Sequence, residues 1–221
     1  MFKLRPSLPK HTVIYDADIV LRYMTTLPPN SHLMLEEITK KLVTLLCLLS
    51  GQRAQSVASL YTNFMHRSES TYTFYIPKIL KTTTPVFHQE PLEFQRFTGD
   101  SKLCPYDCLD LYRQRTDLIK VVSEDDSNKL ILSYTYPHKP VKSATLARYE
   151  KLFLGDAGID LTVFSAHSTR AASTSKANNM GLSLKDISKA AGWKGTSTFQ
   201  KHYNLPIRNN FGKTLLNNFK T

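Results

Sequence analysis

Between residues 35 and 49 the apolar side chains Leu35, Ile38, Leu42, Leu45, Leu46 and Leu49 recur at helical spacing, and Gly51 follows directly behind them. Such a stripe escapes water only if other elements close over it, and a glycine just past it supplies the left-handed residue on which helices commonly end. The chain is therefore organised round a buried helix. Residues 16–26 read as an earlier helix, stopped by Pro28 and Pro29. Arg53 opens a further helical stretch in which Val57, Leu60, Tyr61 and Phe64 form the expected buried stripe. Pro105 suits the first position of a helix running to about residue 115, and residues 143–154 form another, ending at Gly155. Three short helices are expected in the last third: 168–180 closed by Gly181, 184–191 capped by Ser183 and closed by Gly192, and 196–202. Residues 71–76 (TYTFYI) are β-branched and aromatic, and after Pro77 a second extended run, 82–87, can pair with them as a hairpin; residues 130–135 add a short strand. The expected fold is mainly α with a small antiparallel β-sheet (α+β), and no internal repeat is visible.

At 221 residues the chain suits one domain, or one with a short appendage. It carries 29 Lys and Arg against 18 Asp and Glu, a formal charge of +11, which makes an anionic partner the first expectation and nucleic acid the commonest such partner. Aromatic residues make up 10% of it, so a disordered basic tail is excluded as the whole molecule. The longest apolar stretch, residues 42–49, falls far short of the roughly 20 residues that cross a bilayer, so no membrane partner is expected. The N-terminus has a positive start with no apolar run behind it, which does not read as a secretory signal. Cysteine is odd in number: Cys47, Cys104 and Cys108 fit no paired framework, and the expected compartment is the cytosol or nucleus. Cys104 and Cys108 stand in C-x3-C spacing, but no second Cys/His pair completes a metal site; they read as residues one helical turn apart.

Four polar clusters stand out: Gly51-Gln52-Arg53, the run 78–84 (KILKTTT), His167-Ser168-Thr169-Arg170, and Gly192-Trp193 followed ten residues on by Tyr203. His167 and Arg170, three apart at a helix start, project from one face, where free backbone N–H groups and the helix dipole also welcome an anion. Each cluster has an ordinary structural reading on its own. H-x-x-R occurs in many chains, Tyr203 can be a core aromatic with Phe199 one turn earlier, and Trp193 can be a packing anchor. Taken in order, LVTLLCLLSGQRAQSVASLYTNFM and FSAHSTRAASTSKANNMGLSLKDISKAAGWKGTSTFQKHYN resemble the two boxes of the tyrosine recombinase (phage integrase) catalytic domain. The likeness covers residues from about 35 to 203 and is nearest to integrase-like domains of eukaryotic mobile elements.

The resemblance implies site-specific cleavage and rejoining of DNA strands in recombination and integration, through a 3′-phosphotyrosine intermediate, with no cofactor, metal or ATP. Arg53 and Arg170 correspond to the two catalytic arginines, planar and permanently charged forks for the non-bridging oxygens of the transition state. His167 donates to the same oxygens or accepts the phenol proton. Trp193 stands where many relatives carry a second His, and its indole N–H can donate a hydrogen bond but carries no proton to and fro. Tyr203 is the nucleophile; a phenol ionises near pH ~10, so it needs cations and a base beside it. The proton for the leaving 5′-oxygen comes, in the family, from a Lys on a hairpin turn, and Lys81 fits this better than Lys78, although a basic turn can equally touch only DNA backbone or water. His202, beside Tyr203, is read as structural because neighbouring helical residues face different ways.

The chain departs from the family in two ways. Many relatives carry an acidic residue three positions after the first arginine, where this chain has Ser56. Relatives also carry an N-terminal core-binding domain on the order of a hundred residues, whereas only about thirty precede the first matching helix, so the sequence is expected either to be a piece of a longer protein or to bind DNA weakly alone. Residues 1–30 are expected as an arm or remnant linker and 31–221 as the catalytic domain. Phe211, Leu215, Leu216 and Phe219 suggest a C-terminal helix from about 208, packing on its own domain or on a neighbour. The implied partner is double-stranded DNA, with a homotetramer on DNA and a monomer off it, in the nucleus. The competing functions are a non-catalytic DNA-binding module that keeps the fold, and a type IB topoisomerase, in which Lys commonly replaces the His of H-x-x-R.

Overall fold

The computed structural model describes residues 13–77, 90–120 and 128–207. Helix α1 (Ala17–Thr26) starts at Asp16, whose carboxylate accepts the N–H of Asp18 at 2.9 Å, and ends two residues before Pro28. Helix α2 (Leu35–Ser50) carries the apolar stripe into the middle of the molecule, with Ile38, Leu42, Leu45 and Leu46 fully buried. Leu49 departs from the stripe and is 51% exposed, while Leu48 turns inward. Polar residues of α2 are buried too, and each satisfies itself locally: Thr39 and Thr44 donate to carbonyls one turn back, and Lys41 donates to Asn30 Oδ1 at 2.7 Å. Gly51 closes the helix at φ +60°, where a Cβ would come within 3.1 Å of Thr174 Cγ2, so the turn fits tightly against a distant part of the chain.

The helix expected over residues 53–64 is cut short. Of it only α3 (Ala54–Val57) and a single 3-10 turn, Thr62–Phe64, form, and between them the backbone bonds across the molecule instead: Leu130 N–H donates to Leu60 O and Thr62 N–H to Asn128 O. Val57, Leu60 and Tyr61 are buried as expected, but Phe64 is 43% exposed. The chain then enters a three-stranded antiparallel sheet, β1 (Met65–Arg67), β2 (Thr71–Phe74) and β3 (Leu92–Gln95), in the order β1-β2-β3. Thr71 faces Gln95 and Phe74 faces both Met65 and Leu92. Tyr72, Phe74 and Phe94 point into the core from alternate positions. The described partners of the 71–76 run are therefore residues 65–67 and 92–95, while the expected partner, 82–87, lies outside the described residues. Residues 130–135 form no strand: Leu130, Ile131 and Leu132 are buried, but the segment is joined only by isolated bridges such as Leu132 to Pro140.

Helix α4 (Pro105–Asp117) has Pro105 in its first turn, and both Cys104, which caps it, and Cys108 are buried on its core side. Helix α5 (Ser143–Asp156) runs one residue past Gly155, and Gly158, at φ +85°, makes the turn instead. Helix α6 (Ala166–Asn179) begins two residues earlier than expected, with Ser165 N–H donating to Ser168 Oγ. Helix α7 (Leu184–Ala190) is capped by Ser183, which accepts from Asp186 N–H, and Gly192 follows at φ +67°. Helix α8 (Ser197–His202) is the last described element. Helices α3, α4, α5 and α6 all pack on α2. Residues 14–26 share this same core through Ile14, Tyr15, Val20 and Met24, and Ile14 N–H donates to Pro206 O, tying the start of the described chain to its end. Residues from 208 onward, including the C-terminal helix read from the sequence, lie outside the described residues, and no described helix is long and apolar enough to cross a membrane.

Candidate active site

Arg53 is the residue that precedes α3, held in extended conformation directly behind the Gly51 turn. Gln52 anchors that turn by donating from Nε2 to Ala190 O, at the end of α7, at 2.6 Å. A glycine turn and a buried amide thus aim the Arg53 side chain toward the last third of the chain. There its Nη2 donates to Tyr203 Oη at 3.4 Å, across 150 residues of sequence.

Arg170 arrives from the second turn of α6 and is 3% exposed. Its Nη2 donates to Ala191 O at 2.7 Å, and its guanidinium lies 4.7 Å from the Trp193 ring centre and 5.6 Å from that of Tyr203. Trp193 and Tyr203 pack on each other at 4.7 Å. Tyr203 follows α8; its N–H donates to Phe199 O, and its carbonyl accepts from Ser175 Oγ on α6, so the peptide units on both sides of its Cα are held. The phenol ring is buried against Trp193, which packs in turn on Phe199, while its hydroxyl reaches Arg53. Four of the six residues singled out in the sequence, Arg53, Arg170, Trp193 and Tyr203, form one contiguous group.

His167, one turn earlier on α6, is exposed and lines, with Arg53 and Arg170, a cavity of about 290 Å³. The opposite wall is α5, where Ala144 and Ala147 keep the space open. Lys81 and its alternative Lys78 lie outside the described residues. His202 is exposed beside Tyr203. Ser56 is buried, its N–H donating to Arg53 O at 2.8 Å, so no acid follows Arg53 by three positions.

Burial pushes the Arg170 guanidinium down to about 10, against the Tyr203 hydroxyl, which raises it, and with Arg53 lowering it further. It remains a cation at neutral pH. The Nε atoms of Arg53 and Arg170 and the Nε1 of Trp193 are all buried without a hydrogen-bond partner. Buried donors left unpaired cost roughly 1–3 kcal/mol each, so three at one place, two of them charged, mark a site shaped to be completed by an anion with several acceptor oxygens.

A residue not singled out in the sequence completes the cavity wall. Glu150, on α5, is 1% exposed. Burial pushes its carboxyl up to about 8, against hydrogen bonds from Thr169 and Cys47 that lower it, and Thr169 in turn accepts from the Tyr15 hydroxyl at 2.9 Å. A sequence signal exists for it: Leu146, Tyr149, Phe153 and Leu154 make the inward face of α5, and Glu150 falls within that face.

Residues 20–207 match the family model described as the phage integrase family. Among solved structures, the XerH site-specific recombinase bound to difH substrate superposes with a TM-score of 0.62 at 12% identity, covering 86% of this chain and 49% of that one. The XerA recombinase gives 0.59 at 14% identity, covering 99% and 67%. A lambda integrase (75–356) dimer bound to a COC′ core site gives 0.56 at 16% identity, covering 91% and 62%. The chain thus spans about half the length of the XerH chain, and at these identities the likeness is one of fold: mainly helical with a small antiparallel sheet, as in tyrosine recombinase catalytic domains. No curated protein matches the chain in sequence. The finer likeness to domains of eukaryotic mobile elements is carried by none of these matches.

Proposed function

The chain belongs to the phage integrase family, and from that premise we propose that it cleaves and rejoins DNA strands through a tyrosine–phosphate intermediate. The observation that supports this reading best is the convergence of Arg53 and Arg170 on Tyr203, whose hydroxyl accepts from one guanidinium while its ring lies beneath the other. In the step proposed, Tyr203 Oη attacks phosphorus, the P–O5′ bond breaks, and the 3′ end is left on the tyrosine. The phenol proton passes to a base, for which His167 at the cavity is the candidate, and the leaving 5′-oxygen takes its proton from Lys81. Charge that develops on the non-bridging oxygens meets the two guanidinium groups and the indole N–H. Attack by a second 5′-hydroxyl reverses the step without ATP, since the phosphodiester energy is kept in the covalent link. Double-stranded DNA is the partner that a charge of +11 favours, with a homotetramer assembling on DNA and a monomer off it.

A pool of nicked duplexes with a randomised core tests this. The nick lets the cleaved 5′ end diffuse away and traps the covalent adduct, which is read on a denaturing gel. Tyr203→Phe is expected to abolish the adduct while leaving DNA binding within roughly tenfold, about 1.4 kcal/mol. Binding by the native chain without an adduct would leave the non-catalytic DNA-binding module.

A further inference from the structure

Glu150 has a peculiar address. It lines the same cavity as Arg53, His167 and Arg170, yet it makes no ion pair among the described residues. Its carboxyl is buried, one oxygen, Oε1, has no hydrogen-bond partner, and the groups within reach of the carboxyl are the neutral donors Thr169 and Cys47. A carboxylate on that wall repels the very anion that the two guanidinium groups attract. A protonated carboxyl does the reverse, because its O–H is one more donor aimed at acceptor oxygens.

We propose that Glu150 stands in the cavity as a neutral carboxylic acid and donates a hydrogen bond to the phosphate held by Arg53 and Arg170, so that anion binding is linked to a proton on this residue. The proposal rests on reading the cavity as a phosphate site. Burial supports the neutral form, holding the carboxyl up to about 8. A bound anion raises it further, since a neighbouring negative charge disfavours ionisation. The titratable groups facing Glu150 are Tyr15, from the segment before α1; Cys47, on α2; Arg53, at the start of α3; and His167 and Arg170, on α6. Tyr15 and Cys47 are both held in their neutral forms by burial, well above their ordinary values, and Arg170 stays charged at pH 8. Glu150→Gln leaves His167 in place, so comparing the variant with the native chain separates a proton taken up by Glu150 from one taken up by the imidazole.

Sulfate, a tetrahedral dianion that does not titrate in this range, is the probe. Calorimetry of sulfate binding to the native chain at pH 8, in two buffers of different ionisation enthalpy, is expected to give uptake of a fraction of a proton. Affinity should fall by roughly tenfold between pH 7.5 and 9, about 1.4 kcal/mol. In Glu150→Gln, which keeps a donor that cannot ionise, affinity should change less than about threefold over that range, with no proton uptake. Sulfate bound without proton uptake by the native chain overturns the proposal, as does a Gln variant whose profile parallels the native one; the first result needs no variant to fold. Sulfate that does not bind overturns the phosphate-site premise. Because no DNA chemistry enters these readouts, a failed cleavage assay and a failed proton linkage are separate results.

Discussion

Glu150→Gln makes a prediction about folding whose sign, as well as size, is set by the structure. The carboxyl ionises in the unfolded chain near its ordinary value of 4.5 and in the folded chain at about 8. A folded-state value above the unfolded one means that stability is fully present at low pH and is lost as pH rises, here from about 4.5 until the folded carboxyl itself ionises near 8. Each pH unit in that window costs about 1.4 kcal/mol, so the penalty is about 1 kcal/mol at pH 5 and about 3 kcal/mol at pH 7. Gln has no such penalty and fits the same space, with Thr169 and Cys47 still beside it. The native chain should therefore lose ground to the variant as pH rises, and the gap should widen by about 2 kcal/mol between pH 5 and 7, or roughly 4–8 °C in Tm for a domain of this size. Urea denaturation of both proteins at pH 5, 6, 7 and 8 measures it. The opposite trend, with Gln less stable at pH 7 and the loss recovered on acidification, would mean that Glu150 is ionised in the fold as a counter-ion to Arg53 and Arg170, not a buried neutral acid.

Arg170→Ala removes a guanidinium that spans Ala191 O, Trp193 and the Tyr203 ring, so covalent-adduct formation should fall by about a hundred- to a thousandfold while DNA affinity falls less than tenfold in a gel-shift assay. Gly51→Ala meets both a φ of +60° and a contact of 3.1 Å with Thr174, and should cost about 1–3 kcal/mol in urea denaturation, with weakened cleavage because Arg53 follows that turn. Lys81→Ala should lose cleavage of an ordinary strand but regain it on a bridging 5′-phosphorothiolate, whose leaving group needs no proton; failure of rescue moves that role to Lys78 or elsewhere.

The parts of the fold most legible in sequence are those fixed by local chemistry. The stripe of α2 with Gly51 behind it, Pro105 at the head of α4, and α7 between Ser183 and Gly192 each follow from a cap, a turn residue or a period of about 3.6. Where distant partners decide, local signals mislead. Residues 57–67 keep helical spacing in Val57, Leu60 and Tyr61, yet Asn128, Lys129 and Leu130 take the backbone groups of residues 60–62 and the chain turns into β1. Strand β3 is four residues long, its Leu92 and Phe94 alternating with Glu93 and Gln95, too brief a pattern to stand out. The order of the polar clusters pointed to Arg53, Arg170, Trp193 and Tyr203 through a resemblance, and the packing that joins them depends on Gln52, Ala191 and Ser175, none of which carries a signal alone. Glu150 was hidden because a lone Glu in a helix ordinarily faces water.

In the proposed chemistry one phenolic oxygen, Tyr203 Oη, is the atom to which DNA becomes joined. Protease digestion of the trapped adduct followed by tandem mass spectrometry reads that atom's residue directly. A nucleotide mass on the peptide containing Phe199 and Tyr203, assigned to Tyr203, is the predicted result. The same mass on any of the other tyrosines, or on a serine of α6, would contradict it.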